Sequence, residues 1–574
     1  MPARGGVTFA GTPIGSESYR KNIFNKKAKE IGDSIKKICN FYDSTKTIWN
    51  QSKQGLIYML RNCIPQQAVF LTRVLDPSVT IEGCQFIDNS ILNAVFHILG
   101  IIEKLPRENS QEMDLLKKKM FLPIKLGGFG LLSLEKIHEA SFYGNLIDNN
   151  RLFTRFEPNI AETIKNTNGN FKTFQQLDEK MKVLLSSNAS DSYGNIYAHK
   201  TQHEITGKIN DELDLYIVEL EKIDTCKTTE QKSQHIQRLA NKDSQSSRWV
   251  NLHPGSFLYR LSNQEFQDAV CLRFSILISN SRKWCACGSA FDSLGMHHHI
   301  CRDSQSQITD LHERIKGILL SEVDKAKKFG KFEGLIGGKE PEITAYATRN
   351  PKYLKDEDKR YGDFGYKSES GKIVIYDVGT CSLLCEKIVT KQGNIAFMKR
   401  INGDAARHVV HHKELKIQKE FIRDETDNIE IIALGFERTG VIDKATKHAL
   451  KQISKITCIG MTNGNAVPSD SDCHMRFEFL MKQISVCVQK WRSTYLQHGL
   501  KYRSLDAQPS GPIRIGNLPL PESNIFPASI PGRVTAISPI FLTEEIPIHC
   551  DINNSDNLNT SYSGGESLVS LAQE

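Results

Sequence analysis

The chain has 574 residues, of which 39% are hydrophobic and 24% charged, with a net charge of +8 and a mean hydropathy of −0.37. The nearest approach to a membrane span, Ile91 to Ile102, is interrupted by Asn93 and His97 and is shorter than the run of about eighteen apolar residues that a span needs. The first residues also lack the apolar core of a secretory signal. We therefore expect an intracellular, soluble, multidomain protein with no membrane partner, whose 14 cysteines are reduced or metal-bound. The mildly basic charge fits a polyanionic partner.

The first half of the chain is predicted to be mainly helical. Residues 6–15 predict a strand and a turn, and apolar residues then recur with helical spacing from Lys21 to Ile38. The same spacing predicts four more helices: Gln54 to Arg73 with a break at Pro65, Phe86 to Glu103, Leu134 to Ile147 and Thr206 to Leu220. A polar helix is also expected from Phe174 to Leu185, and no chemistry can be assigned between Arg151 and Ser247.

A segment rich in cysteine and histidine follows a helix predicted to begin at Phe266. Three thiols and one imidazole are the donors of a common type of tetrahedral zinc site. Two close ligand pairs joined by a loop suit zinc because each pair lies on a short turn, which leaves little chain entropy to lose. The predicted zinc ligands are Cys285, Cys287, His297 and Cys301.

Two alternatives accompany this zinc prediction. His298 or His299 could replace His297, and the thiols could instead be buried free cysteines beside a solvated run of histidines. The preceding residues Arg282, Lys283 and Trp284 combine positive charge with a stacking surface of the kind that single-stranded nucleic acid favours.

Two predicted strands farther along the chain bring two acids together. Residues 373–378 are rich in β-branched and aromatic side chains, and a three-residue loop with Gly371 at positive φ suits a hairpin. In the expected register Phe364 pairs with Tyr376, so Asp363 lies opposite Asp377 with Cβ atoms roughly 5 Å apart. Because like charges at that distance repel, the pair predicts a bound Mg²⁺, which proteins usually hold with one or two carboxylates and substrate phosphates. The alternative is a surface hairpin with two solvated acids.

The remaining elements surround this hairpin. Ile308 to Lys327 is predicted to be an amphipathic helix, and residues 429–435 a strand. A basic helix is predicted from Ala405 to Phe421; such a charged run is usually a solvated face, but one of its lysines could instead reach the paired acids. Helices are also predicted from Val441 to Ser454 and from His474 to His498, and the residues after Asp506 are predicted to be disordered.

Several of these motifs, in this order, resemble one family. Residues 7–16, VTFAGTPIGS, resemble the strand that enters the thumb of retrotransposon reverse transcriptases, and residues 122–131, LPIKLGGFGL, resemble the turn downstream of that thumb. The cysteine–histidine segment and the acidic hairpin resemble the carboxy-terminal half of site-specific non-LTR retrotransposon proteins with a restriction-enzyme-like endonuclease. The motifs together cover most of residues 6–500, and their order is more specific than any one of them.

The resemblance implies a Mg²⁺-dependent endonuclease that nicks target DNA for integration. It assigns the two metal-binding acids to Asp363 and Asp377, and the basic residue before the first acid to Arg360. Gly379 stands where common restriction enzymes carry a lysine, so Lys413 or Lys416 from the following helix would take that role. A structural Zn²⁺, a DNA target, element RNA as a further partner and a nuclear location are also implied.

Two departures from the family pattern qualify this assignment. Gly362 replaces the usual proline, and no Tyr/Phe-x-Asp-Asp polymerase motif occurs, so we expect no polymerase activity. Glu340 resembles an upstream acid of the family. A second hypothesis is a zinc-containing nucleic-acid-binding protein without catalysis, and a third is an unrelated helical scaffold with a structural zinc.

The resulting fold class is multidomain, mainly α in the N-terminal half, with a zinc knuckle, an α/β restriction-endonuclease-like (PD-(D/E)xK) domain and a disordered tail. The expected domains are a palm-strand remnant at 1–20, a thumb-like region at 21–150, a helical linker at 151–247, a helix with the zinc knuckle at 248–306, the endonuclease at 307–505 and the tail at 506–574.

Overall fold

Helices dominate the computed structural model of the chain, with small sheets at three places. The structure describes residues 5–45, 52–156, 176, 198–220, 229–276, 283–284, 290–291, 305–328, 340–368, 370–381, 403–422, 428–461 and 468–501. The predicted disordered tail and nearly all of the helix predicted from Phe174 to Leu185 lie outside these residues. None of the described helices is long and apolar enough to cross a membrane.

The first half of the chain contains a β-hairpin followed by helices. Strands β1 and β2 pair antiparallel around Ala10 and Gly11, whose φ angles are 47° and 79°. The elements are β1 (Gly6–Phe9), β2 (Thr12–Gly15), α1 (Glu17–Thr45), α2 (Lys53–Asn62), α3 (Gln66–Val74), α4 (Pro77–Leu99), α5 (Gln111–Phe121), α6 (Leu134–Phe156), α7 (Ala198–Leu220), α8 (Thr229–Lys242) and α9 (Asn263–Phe274).

These bounds confirm the helices predicted in the described parts of this half. They also show where the apolar spacing of the sequence missed a helix or placed its start too late. Pro65 separates α2 from α3 as expected, because proline has no N–H to donate to the preceding turn. Helix α4 begins nine residues earlier than predicted, since the Asp76 side chain caps it by accepting from the Ser78 amide and Pro77 occupies the first helical turn. Helices α5 and α8 were not predicted.

The glycine-rich turn at residues 122–131 is tied to this helical core by two buried arginines. Arg61 donates to the Phe129 carbonyl at 3.3 Å, and Arg273 donates through Nη2 to the Gly128 carbonyl at 2.8 Å. Arg273 also donates to the Ser247 hydroxyl at 2.9 Å. Burial, and secondarily the charge of Arg61, lowers the pKa of Arg273 to about 9, which reflects the cost of removing a guanidinium from water.

The second half of the described chain combines a three-stranded sheet with four helices. The order is β5–β6–β7, with β5 antiparallel and β7 parallel to the central strand β6. The elements are β3 (Lys283–Trp284), β4 (Ala290–Phe291), α10 (Gln305–Lys328), β5 (Phe364–Lys367), β6 (Ile373–Cys381), α11 (Asp404–Glu420), β7 (Ile429–Glu437), α12 (Lys444–Met461) and α13 (Asp470–Lys501). Strands β3 and β4 pair separately as a two-stranded sheet.

One long helix contributes to the two largest hydrophobic cores of the described residues. Leu480, Val488 and Trp491 of α13 pack with the inner faces of α10, α12 and the β5–β7 sheet. Val486 and Leu496, on another face of α13, pack into the core of the first helices. Polar contacts follow the same helix, as when Arg492 donates to Gln237 Oε1 at 2.7 Å. Helix α13 therefore couples the packing of the sheet to that of the helical half.

Replacing Arg273 with leucine should lower the free energy of unfolding by about 3 kcal/mol, because the buried Gly128 carbonyl would lose its donor and the Asn241 carbonyl would keep only the Ser247 hydroxyl. Urea titration followed by far-UV circular dichroism would measure the change. Arg107→Leu, on an exposed loop, is the matched control and should leave the midpoint within the error of the wild type. An Arg273→Leu midpoint equal to that of the wild type would refute the role of this arginine.

Candidate active site

The β5–β6 hairpin has the predicted register. Phe364 pairs with Tyr376, and the Asp363 amide donates to the Tyr376 carbonyl at 2.8 Å. Gly371 in the connecting loop has a φ of 79°, as the loop type requires. The carboxyl groups of Asp363 and Asp377 lie close enough to share a hydrogen bond. The hairpin thus places its two acids side by side, as expected from the sequence.

The two acids differ in their surroundings. Asp363 Oδ2 accepts the Val378 amide at 2.5 Å and lies 3.2 Å from His312 Nε2. Although burial opposes it, contact with His312 and that amide holds the pKa of Asp363 below its usual range. Burial, together with the nearby Asp363 carboxylate, raises the pKa of Asp377 despite an opposing effect of Lys413. Ionisation of the second carboxyl group of the pair is therefore unfavourable.

Of the two candidate lysines, Lys413 reaches the acids. Its Nζ forms an ion pair with Asp377 and donates to the Val378 carbonyl at 2.8 Å. Lys416 instead lies 4.0 Å from Glu420, one turn farther along α11. Arg360 also contacts Glu420, at 2.8 Å, rather than either aspartate. The structure thus brings Lys413 together with Asp363 and Asp377, and it places Lys416 and Arg360 around a different carboxylate.

Two glycines explain how Lys413 arrives at the sheet. Gly379 of β6 pairs with Gly435 of β7, and α11 crosses directly over both. A Cβ atom at Gly379 would lie 2.9 Å from Lys413 Cε and 2.4 Å from Val409 Cγ1, and one at Gly435 would lie 2.4 Å from the Ala406 carbonyl oxygen. Position 379 therefore suits glycine because the Val409 and Lys413 side chains occupy the space that a side chain would need.

The glycine at position 362 also has a structural reason. Its amide donates to the Pro341 carbonyl at 2.9 Å, and proline has no N–H for that bond. A Cβ atom at this position would approach Ile375 Cγ2 to 2.2 Å. The bond also holds the segment that begins at Glu340 alongside the approach to β5.

Helix α10 supplies two residues that sequence analysis missed. His312 contacts Asp363, and Lys316, one turn later, lies 2.6 Å from Glu340 and 3.8 Å from Asp363 Oδ1. Contact with Asp363, partly offset by burial, raises the pKa of His312. Burial opposes the change, but the contact with Glu340 and the nearby acids raises the pKa of Lys316. The signal available in the sequence was a histidine and a lysine four residues apart, beside the apolar face of an amphipathic helix.

The donor set at the hairpin suits a hard divalent cation. Carboxylate oxygens are the ligands that Mg²⁺ prefers, and one or two of them suffice when a substrate phosphate and water complete the shell. A cation between Asp363 and Asp377 would also offset the repulsion that raises the pKa of Asp377. No group of three or more His, Cys, Asp and Glu side chains suited to a metal occurs among the described residues. The two acids therefore fit Mg²⁺ bound together with substrate.

The predicted zinc ligands Cys285, Cys287, His297 and Cys301, like Arg282, lie outside the described residues. Lys283 and Trp284 form β3, which pairs antiparallel with Phe291 and Ala290 of β4. The segment that contains Cys285 and Cys287 thus connects two paired strands. The zinc site remains a prediction.

A buried acid lies beside the first turn of α11, the helix that carries Lys413. Glu437 is 1% exposed at the end of β7, where the amides of Ala405 and Ala406 and the hydroxyl of Thr439 contact its carboxyl group. Burial outweighs these contacts and raises the pKa of Glu437 to about 7. The group is poised to change charge near neutral pH.

Comparisons of the chain with protein-family models, with curated proteins and with solved structures found no match.

Glu437→Gln should change how stability depends on pH. The folded wild type binds a proton on Glu437 up to about pH 7, whereas the unfolded chain releases it near pH 4.5. Wild-type stability therefore falls as pH rises through this window, by at most about 3 kcal/mol. The glutamine variant lacks this loss, so its stability relative to the wild type should be greater at pH 8 than at pH 5.

Urea titrations at the two pH values would measure this difference. Glu414→Gln, exposed on α11, is the control and should retain the wild-type pH dependence. Equal pH dependence in Glu437→Gln and the wild type would show that Glu437 does not carry the effect.

Proposed function

We propose that this chain is the endonuclease-bearing part of a non-LTR retrotransposon protein and hydrolyses DNA phosphodiester bonds with Mg²⁺. The observation that carries the proposal is the convergence of Asp363, Asp377 and Lys413 from two strands and a helix. Paired carboxylates with an adjacent ammonium group are the side chains that metal-dependent phosphodiester hydrolysis needs. The order of motifs along the chain supports the choice of family.

The proposed chemistry assigns a separate task to each side chain. Asp363 and Asp377 would hold the cation, which when bound polarises the scissile phosphate and lowers the pKa of the attacking water. Lys413 would donate to that water or to a phosphate oxygen, where it stabilises the developing negative charge. Its contact with Asp377 fixes the ammonium group beside the acids before substrate arrives.

The residues from α10 have a supporting task in this proposal. His312 and Lys316 of α10 lie 3.2 and 3.8 Å from the Asp363 carboxyl oxygens. Together with the Val378 amide, His312 keeps Asp363 ionised and therefore able to bind a cation. This support follows from the site geometry alone and does not depend on the family resemblance.

DNA binding is proposed to involve the segment before the acidic hairpin. Cys285, Cys287, His297 and Cys301 would hold a structural Zn²⁺, and Arg282, Lys283 and Trp284 would contact the nucleic acid. Contacts of this kind with the phosphate backbone give affinity that falls with salt and carry little sequence choice. We propose a nuclear DNA target, with element RNA as a further partner.

Asp363→Asn and Asp377→Asn should each reduce Mg²⁺-dependent nicking of supercoiled plasmid by at least about 100-fold, because each removes a charged metal ligand. Conversion to the open circular form, resolved on an agarose gel, measures the rate. Asp358→Asn, on an exposed loop, is the control and should nick at the wild-type rate.

The wild type must itself nick for the proposal to stand. A purified wild type that binds DNA but does not cleave it with Mg²⁺ or Mn²⁺ would instead favour a zinc-containing binding protein without catalysis. Absence of nucleic-acid binding at low salt would favour a helical scaffold.

Lys413→Ala should lower the nicking rate about 100-fold while leaving DNA affinity nearly unchanged, because the lysine acts on the reacting phosphate. Lys416→Ala is a matched control from the same helix, since its partner is Glu420. The nicking rate at saturating protein and the affinity from a gel-shift titration separate the two effects. Equal losses in the two variants would contradict the assignment of Lys413.

A further inference from the structure

Two thiols meet between helices α12 and α13. Cys458 Sγ donates to the Asp472 carbonyl at 3.5 Å. The Cys458 thiol also forms a hydrogen bond with the thiol of Cys473, the residue that follows Asp472. Cys458 is 7% exposed, whereas Cys473 is partly exposed on the first turn of α13. One thiol of the pair is therefore accessible to a small oxidant, and the other lies directly behind it.

The surroundings hold this pair in place. Thr457, next to Cys458, donates to the Glu322 carbonyl of α10 at 3.1 Å. Arg476, one turn after Cys473, donates through Nη2 to Glu322 Oε2 at 2.7 Å, and Glu322 is fully buried. Both helices that carry the cysteines are thus fixed to the same residue of a third helix. The thiols are constrained to meet.

We propose that Cys458 and Cys473 form a reversible disulfide when the protein meets a peroxide. The proposal is independent of nuclease activity, because neither thiol contacts the acids or Lys413 among the described interactions. The product would join α12 to the first turn of α13, the helix that contributes to the two largest hydrophobic cores of the described residues.

The chemistry uses the two thiols in sequence. The Cys473 thiol releases its proton and the thiolate attacks one oxygen of hydrogen peroxide; the O–O bond breaks, the sulfur becomes a sulfenic acid, and the departing hydroxide takes up the released proton as one water. The Cys458 sulfur then attacks the sulfenic sulfur, and the departing hydroxide takes the Cys458 proton as a second water. Two thiols are oxidised by two electrons, and one peroxide is reduced to two waters.

The order of attack follows from the environments. Burial and the neighbouring Cys473 raise the pKa of Cys458 to about 11, so this thiol is protonated at neutral pH and reacts poorly with peroxide in solution. Its position against Cys473 suits the second step, in which proximity replaces intrinsic reactivity. A disulfide there would close the chain between the two residues and restrict the unfolded state.

Tryptic mapping offers a direct test. Cleavage after Lys455 and Arg476 releases residues 456–476, which contain both cysteines and no other. Native full-length protein would be treated with hydrogen peroxide, denatured in the presence of an alkylating agent that blocks free thiols, and digested with trypsin. We expect this peptide to have lost two hydrogen atoms and to carry no alkyl group. When the protein is reduced before alkylation, the same peptide should carry two alkyl groups. The disulfide should form at least about tenfold faster in native than in urea-unfolded protein.

Three variants make the test specific. Cys458→Ser and Cys473→Ser should each leave the remaining thiol of the peptide without an intrapeptide disulfide, and Cys473→Ser is the milder change because this residue is partly exposed. Cys487→Ser, on the same helix α13, is the control and should keep the disulfide. The proposal is overturned if both thiols remain alkylatable after the exposed Cys63 has been oxidised, or if unfolded protein reacts as fast as native protein.

Discussion

The close approach of α11 to the sheet is the constraint on which the candidate site depends. Gly379 and Gly435 are paired across two parallel strands, so neither strand presents a side chain beneath the helix. The helix can then lie against the strands, and the stem of Lys413 crosses Gly379 to reach Asp377. Any larger residue at either position would have to displace the helix, since the nearest contacts include backbone or branched side chains. The close packing of α11 on the two glycines thus also places the Lys413 ammonium group beside Asp377.

Opposing charges from two helices keep the acids together. Two carboxyl groups within hydrogen-bonding distance destabilise each other, and burial strengthens that effect. Lys413 approaches Asp377 from α11, while His312 and Lys316 approach Asp363 from α10. The cations leave the pair unequal, with the pKa of Asp363 lowered and that of Asp377 raised. A divalent cation would offset the repulsion between Asp363 and Asp377 that the neighbouring side chains leave in place. The paired acids, which are unfavourable without a bound cation, are therefore suited to metal-assisted chemistry.

The sequence predicted those parts of the site that depend on local geometry. The register of the hairpin follows from a loop of three residues with Gly371, so the pairing of Asp363 and Asp377 required no tertiary information. The choice between Lys413 and Lys416 could not be made in the same way, because it depends on the rotation of α11 about its axis against the sheet. His312 and Lys316 were missed for a related reason, since α10 precedes the hairpin by a long stretch of chain. Helices were predicted well where apolar spacing was regular, and α5 and α8 were missed where polar residues interrupt it.

Buried charge elsewhere in the protein makes the active-site interpretation more specific. Arg273 is buried, yet its guanidinium donates to the Gly128 and Asn241 carbonyls and to the Ser247 hydroxyl, so these hydrogen bonds give its charge a structural role. Glu437 likewise receives two amides at the start of α11. Asp377 has a different environment, because part of its unfavourable energy comes from a second carboxylate that the fold places beside it. Proteins retain such an arrangement where function requires it, since replacing Asp377 by asparagine would remove its repulsion with Asp363. The paired acids are therefore the feature of this structure that packing alone does not explain.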